Sequence, residues 1–339
     1  MGKEEFFTLK AIIFAMDTEI KLAKQNIMTK KRHYPLPGLQ QTLQMLAQKG
    51  IRLTMISSLS QQEIKEGSRF LNIEKYFRHL ISADEVGCAI STQEFLDLAL
   101  QRSGVTQTES LLVTDSYYGI KAAKTVSLPC IAFLHPHSKN ADFSHADILL
   151  ESFDGLSSSF FFHVHSRSHG QPITIASTRR LWIRELAAEN IPALCAIYQD
   201  PKIRRFITDI NDSIEDEAAK QTAYINTVYR FYGYGLWGIF LKSSGALIGR
   251  CGIENHNIAG KEEITLSYLL DKKYRGQGYA LEACKAAIYY AQEELDIQRI
   301  VAVIDCDNRP SLQTAANLGM KPEQELFYKN HSCVLFTLE

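Results

Sequence analysis

ITLSYLLDKKYRGQGYALEAC, Ile264–Cys284, is the stretch whose reading decides how the second half of this chain folds. Ile264, Leu266, Tyr268 and Leu270 alternate at the strand period, and Leu281, Cys284, Ile288, Ala291 and Leu295 recur at the helical one. Between them lies RGQGYA. Gly276 and Gly278 allow backbone N–H groups to turn inward where a β-carbon would interfere. The helix that starts there adds free N–H groups and a positive dipole end. Strand, glycine turn and helix start together form a cradle suited to phosphate groups.

Outward from the cradle, RIVAVI (Arg299–Ile304) reads as the next strand and leads into DNRPSLQTAANLGM (Asp307–Met320). Arg275-x-x-Gly278-x-Ala280 resembles the [QR]-x-x-G-x-[GA] pyrophosphate loop of the GNAT superfamily of acetyl-CoA-dependent N-acetyltransferases. Asn308-x-x-Ser311 and the Leu318-Gly319-Met320 helix end are similar to the motif that follows it. ITIASTRRLWIREL, from Ile173, is similar to the opening of the RimJ/RimL-like branch, so the resemblance covers about Ile173–Glu339.

This resemblance implies a mixed α+β fold and acetyl transfer from acetyl-CoA to a primary amine. It assigns the cosubstrate to Tyr268, Leu270, Arg275, Gly276, Gln277, Gly278, Tyr279, Ala280, Asn308 and Ser311. A backbone N–H near Leu270 is the implied donor to the thioester oxygen. Ser311 is the candidate acid, because the family's tyrosine four residues on is Ala315 here. A glutamate commonly stands three residues before the Tyr268 position, but this chain has Thr265. Glu262, Glu263 and Glu325 remain as bases acting through water, with Glu325 placed ahead of Glu263. Trp237, Tyr232 and Tyr234 are candidates to wall an acceptor pocket; core packing is the favoured reading of Trp237.

A chain of 339 residues exceeds a typical single core and implies two domains. With 37 basic and 38 acidic residues the net charge is −1, which implies no bulk attraction to nucleic acid or membrane. Seven scattered cysteines without a C-x-x-C pair suggest reduced thiols and a cytoplasmic setting. Glu4 and Glu5 argue against a signal peptide, and no apolar run reaches spanning length.

In the first half, LKAIIF (Leu9–Phe14), IRLTMISS, SLLVT, CIAF and ADILL read as strands alternating with helices. Pro37-Gly38 opens a helix with Leu39, Leu43 and Leu46 on one face, and Ser60…Glu63 and Ser91…Glu94 read as capping boxes. Such alternation implies a doubly wound parallel sheet with ligands at the strand carboxyl ends. Asp17, Ser57 and Asp115 sit at those ends. The stretch from 8 to 155 resembles the haloacid dehalogenase-like (HAD) phosphohydrolases, in their phosphoglucomutase branch, with a reduced cap. The resemblance puts the nucleophilic aspartate at Ala15 and the phosphate-neutralising lysine at Ala89. Alanine neither attacks phosphorus nor binds a metal, so a pseudo-phosphatase is expected.

The expected organisation is therefore an α/β two-domain chain: residues 1–160 HAD-like, 161–172 a linker, 173–339 the GNAT domain. The linker reading rests on the serine, glycine and histidine content of SFDGLSSSFFFHVHSRSHGQP. His163, His165 and His169, with His135 and His137, invite a metal reading, but no metal is expected. The expected partners are coenzyme A and an amine, a small molecule or a protein N-terminus, with no nucleic acid and no membrane. The alternative is a non-catalytic acyl-CoA-binding sensor.

Overall fold

The computed structural model describes residues 8–29, 36–87, 93–134, 142–207 and 209–339. Ala89, Ser91, His135 and His137 lie outside them. The chain divides into two compact units, Met1–Gln171 and Pro172–Glu339, each built on its own sheet.

The first unit runs β1 (Ala11–Ala15), α1 (Thr18–Thr29), α2 (Leu39–Gln48), β2 (Arg52–Ser57), α3 (Gln61–Phe70), β3 (His79–Ser82), α4 (Ala83–Val86), α5 (Gln93–Ser103), β4 (Ser110–Thr114), α6 (Tyr117–Thr125), β5 (Cys130–Phe133), β6 (Ile148–Leu150) and α7 (Ser158–Ser168). The strands pair in parallel in the order β3-β2-β1-β4-β5-β6. β1 is buried throughout, as its unbroken apolar run requires of a strand covered on both faces. Ile12 and Phe14 pack with α2 and α7, while Ile13 and Ala15 pack with α5 and α6. The capping box of α3 forms, and bonds from Lys24 and Ser60 hold Glu63 down to about 2.

The stretch expected to be a linker contains α7 instead. Phe161, Val164 and His165 recur at helical spacing and are buried, Phe161 and Val164 in this unit's core. Serine and glycine content masked that spacing. His165 Nε2–H donates to Thr108 O at 2.9 Å. Burial pushes His163 and His165 down to about 4 each, helped by Arg167 and His169 respectively. Both are neutral packing groups at pH 7.

The second unit runs β7 (Thr174–Ser177), β8 (Leu181–Arg184), α8 (Ile191–Tyr198), α9 (Pro201–Arg204), α10 (Ile214–Tyr232), β9 (Leu236–Leu241), β10 (Leu247–Ile258), β11 (Lys261–Leu270), α11 (Tyr279–Leu295), β12 (Ile300–Asp305), α12 (Arg309–Asn317), β13 (Lys321–Tyr328) and β14 (His331–Leu338). The sheet order is β13-β14-β12-β11-β10-β9-β8-β7, antiparallel except where α11 carries the chain across from β11 to β12. Leu266 and Leu270 face α11 and pack with Cys284 and Ala287. Leu269 faces the other way, toward Tyr198 of α8.

Candidate active site

β11 and β12 pair at one position, Thr265 with Val301, and then part, although β11 runs on to Leu270 and β12 to Asp305. Asp271 N–H donates to Ile248 O at 2.8 Å, which fixes the alternation along β11. Thr265, Ser267 and Leu269 turn their amides to β10, while Tyr268 and Leu270 turn theirs to the side β12 has left. Leu270 O on that side accepts from Arg275 Nε at 2.9 Å. A cavity of about 320 Å³ follows the divergence, lined by Leu266, Tyr268, Ile304, Asn308 and Ser311 among others.

The glycine turn lies beyond the end of β11. Gly276 and Gly278 have φ of 75° and 77°, left-handed values that favour glycine. Gly278 is the N-cap of α11, and no side chain caps the first-turn N–H groups. Arg180 steadies this turn. Its Nη1 donates to Gln277 O at 2.9 Å, its Nε pairs with Glu282 at 2.6 Å, and its guanidinium stacks over the Tyr279 ring at 4.2 Å. Arg275 pairs with Asp200 at 2.7 Å. Backbone dipole and fixed side chains thus leave a rigid, open helix start facing the end of the divergence.

Asn308 caps α12, its side chain accepting from Ser311 N–H at 3.3 Å. Ser311 is therefore inside the first turn and is not the cap, which frees its hydroxyl from that duty. The Tyr268 phenol is buried close to the Ser311 and Thr314 hydroxyls without forming an aligned hydrogen bond. Burial pushes it up to about 12, against the pull of those two hydroxyls.

The opposite face of the sheet, under α8 and α10, holds a polar cluster that the sequence reading passed over. Arg250 is 3% exposed and donates to Tyr198 Oη at 2.6 Å, Gln221 Oε1 at 3.0 Å and Leu236 O at 3.2 Å. Glu254 Oε1 accepts from Tyr224 Oη at 2.8 Å, and its Oε2 lies 3.5 Å from His256 Nε2. All of these residues line the same cavity. One signal was available: Arg250 interrupts the apolar run of β10, and a charge in a buried strand needs partners.

In the first unit the strand ends carry a second polar set. Asp17 accepts from Ser57 Oγ at 2.6 Å, from Ser58 N–H at 2.8 Å, and from the Ser58 hydroxyl. Asp115 accepts from Thr18 N–H at 2.9 Å and Asp17 N–H at 3.3 Å. Its carboxyl is pushed up by burial and by the charge of Asp17. Ala15 ends β1 between them, 1% exposed.

Residues 180–321 match the family model described as an acetyltransferase (GNAT) domain, and residues 6–133 match that of a haloacid dehalogenase-like hydrolase. This chain carries a GNAT domain behind a HAD-like one. An uncharacterized N-acetyltransferase, p20 of Bacillus licheniformis, is 28% identical over 149 residues, 43% of this chain and 82% of that protein. A phosphorylated carbohydrates phosphatase of Thermotoga maritima is 32% identical over 92 residues, 27% of this chain and 43% of that protein. An acetyltransferase structure from Agrobacterium tumefaciens, 24% identical, covers 48% of this chain and 93% of its own, with a TM-score of 0.43.

In the GNAT domain the expected cosubstrate residues come together along the β11–α11 edge and the start of α12. The expected bases do not join them. Glu325 is exposed on β13 and does not line the cleft. Glu263 is buried at the far end of β11, paired with Arg299 at 3.1 Å and Lys261 at 3.0 Å. Glu262, also exposed, accepts from Asn257 at 2.9 Å. Trp237 is wholly buried against Tyr290, and neither Tyr232 nor Tyr234 lines the cavity. Among the described residues no group of three or more His, Cys, Asp or Glu is placed to hold a metal ion, and no helix is long and apolar enough to cross a membrane.

Proposed function

We propose that the GNAT domain transfers the acetyl group of acetyl-CoA to a primary amine by direct attack, and that the HAD-like domain is a pseudo-phosphatase. The observation that carries the first reading is the parting of β11 from β12 directly ahead of an uncapped helix start. A pantetheine arm is a strand-like chain of two amides, and the Tyr268 backbone and the Leu270 N–H offer it partners, Leu270 O being held by Arg275. The diphosphate then meets the Arg275–Ala280 turn, where Gly276, Gln277, Gly278 and Tyr279 present backbone and a positive dipole end. Asn308 and Ser311 face the arm from α12. The likeness to p20, an uncharacterized N-acetyltransferase, accords with the reaction class.

The primary test is acetyl-CoA consumption by the full chain against a panel of a serine-starting peptide, an amino-sugar and a diamine. Turnover with any of them supports the transferase. Stabilisation by acetyl-CoA with no turnover anywhere supports the sensor reading instead.

Ser311 is assigned as the proton donor to the departing thiolate. Because Asn308 holds the cap, Ser311→Ala should leave the melting temperature nearly unchanged. It should lower kcat by about 10²-fold or more, the lower end of general-acid effects. Parent-like turnover in Ser311→Ala removes this serine from the mechanism.

The pseudo-phosphatase reading rests on Ala15 and on Asp17, whose carboxylate is taken up by the Ser57 and Ser58 donors. Wild-type protein should show no magnesium-dependent hydrolysis of p-nitrophenyl phosphate, and Ala15→Asp should remain poor. Substantial hydrolysis by wild type that disappears in Asp17→Asn would sink this reading.

A further inference from the structure

The cleft of the GNAT domain has a candidate acid in Ser311 and none of the expected bases. Thr265 stands where the resemblance would place a glutamate, and Glu263 and Glu325 lie away from the cleft. The register of the sheet supplies another carboxylate. Ala259 and Gly260, with φ of 52° and 84°, form a two-residue hairpin turn between β10 and β11. Counting back from the Ile258–Lys261 pair, Glu254 stands directly opposite Thr265. Directly opposed residues share a face of the sheet, about 5 Å apart. Glu254 therefore presents its carboxylate one strand over from the missing one, beside the point where β11 and β12 part.

The geometry points to Glu254 as the group that receives the acceptor ammonium and takes its proton. This rests on the transferase reading above. Three observations carry it. Glu254 lines the cavity from the α10 side, whereas Ser311 lines it from α12, on the α11 side with Tyr268. Base and acid thus approach the parting strands from opposite faces, so the incoming amine and the departing thiolate each meet a group of their own. The carboxylate is also aimed. Tyr224 Oη accepts from Leu236 N–H at 2.7 Å and so directs its own proton to Glu254 Oε1, leaving Oε2 beside His256. Finally, the group is charged. Burial raises its pKa, but the His256 and Tyr224 bonds and the Arg250 field outweigh burial and hold it below the usual carboxylate range, so it draws an ammonium in and holds the proton only in passing to solvent.

The step balances without a further reactant. An ammonium has two protons to lose on becoming an amide. Glu254 takes the first, which frees the lone pair, and passes it toward solvent past the partly exposed His256. The amine nitrogen bonds the thioester carbon, the carbon–sulfur bond breaks, Ser311 gives its hydroxyl proton to the departing thiolate, and the second amine proton replaces it on Ser311. Tyr224 is a positioning residue here, since it touches Glu254 and not the acceptor.

A merely structural glutamate would affect all acceptors alike, and a base would not. Glu254→Gln in the full chain should be assayed with two acceptor classes. The first is the peptide and diamine panel, charged at neutral pH. The second is aniline and O-methylhydroxylamine, largely uncharged there. With charged acceptors kcat/KM should fall by about 10²–10⁴-fold. With uncharged ones the loss should stay below about tenfold, and the acetyl-CoA melting shift should match the parent. Glu254→Asp, which keeps the charge, should recover part of the loss and serves if glutamine disturbs folding. Equal losses in both classes, or parent-like turnover with charged acceptors, overturn the assignment while leaving the transferase intact. Wild-type protein inert toward every acceptor overturns the transferase reading, and this one with it.

Discussion

Gly278→Val is expected to abolish the stabilisation of the protein by acetyl-CoA. A ligand that binds only the native state at a hundredfold excess over Kd contributes about 2.7 kcal/mol, a shift easily read in a thermal melt. Valine at this position removes it in two ways. The left-handed φ of 77° puts a β-carbon against its own backbone, at about 1–2 kcal/mol. The added side chain also starts 3.5 Å from Arg180 Nη2, on the guanidinium whose Nη1 holds Gln277 O and whose plane covers the Tyr279 ring. The valine methyls then stand over the N-cap of α11, where the diphosphate must approach the first N–H groups. Backbone strain alone is controlled by Gly260→Val, at φ 84° in the β10–β11 hairpin with open space around it. That variant should melt lower than the parent yet keep its full acetyl-CoA shift. If Gly278→Val retains the shift as well, the phosphate-cradle assignment is wrong.

How much of this was legible in the sequence depended on the range over which each signal acts. The Ile264–Cys284 reading needed only local periodicity and two glycines, and strand, turn and α11 follow it closely. The capping box at Ser60 and Glu63 was legible for the same reason. α7 was obscured because composition and spacing disagreed: serine, glycine and histidine suggest a loop, while Phe161, Val164 and His165 keep helical order. Packing of the two apolar residues into the core decided in favour of spacing. Ser311 and Asn308 lie three residues apart and compete for the cap, and only the bond from Ser311 N–H to Asn308 shows which won. The polar cluster around Arg250 is assembled from α8, α10, β9 and β10, so no window along the chain contains it. Glu254 is the instructive case. Its pairing with Thr265 follows arithmetically from a two-residue turn at Ala259-Gly260, but that turn had first to be recognised.

Arg250→Met should be the most destabilising single change in the polar cluster. Arg250 is 3% exposed, and removing it from such a site leaves buried polar groups without the donor they were paired to. Leu236 O keeps its bond from Tyr229 Oη at 2.6 Å, so that acceptor survives. Tyr198 Oη and Gln221 Oε1 lose the donor they share. Glu254 at the same time loses the positive field that helps keep it charged while mostly buried. Breaking a buried charged network typically costs about 3–5 kcal/mol, and methionine's packing returns only part of that. Urea unfolding followed through Trp182 and Trp237, both in the GNAT domain, reads the loss as a lowered midpoint. Part of the penalty belongs to the stranded carboxylate, and a double-mutant cycle isolates it. Arg250→Met with Glu254→Gln should be less destabilised than the two single losses added together. Strict additivity would mean that Arg250 acts only through its bonds to Tyr198 and Gln221. A cost under about 1 kcal/mol for Arg250→Met alone would mean that water already reaches this face, and the cleft would then lack the dry wall that a carboxylate base for an ammonium works against.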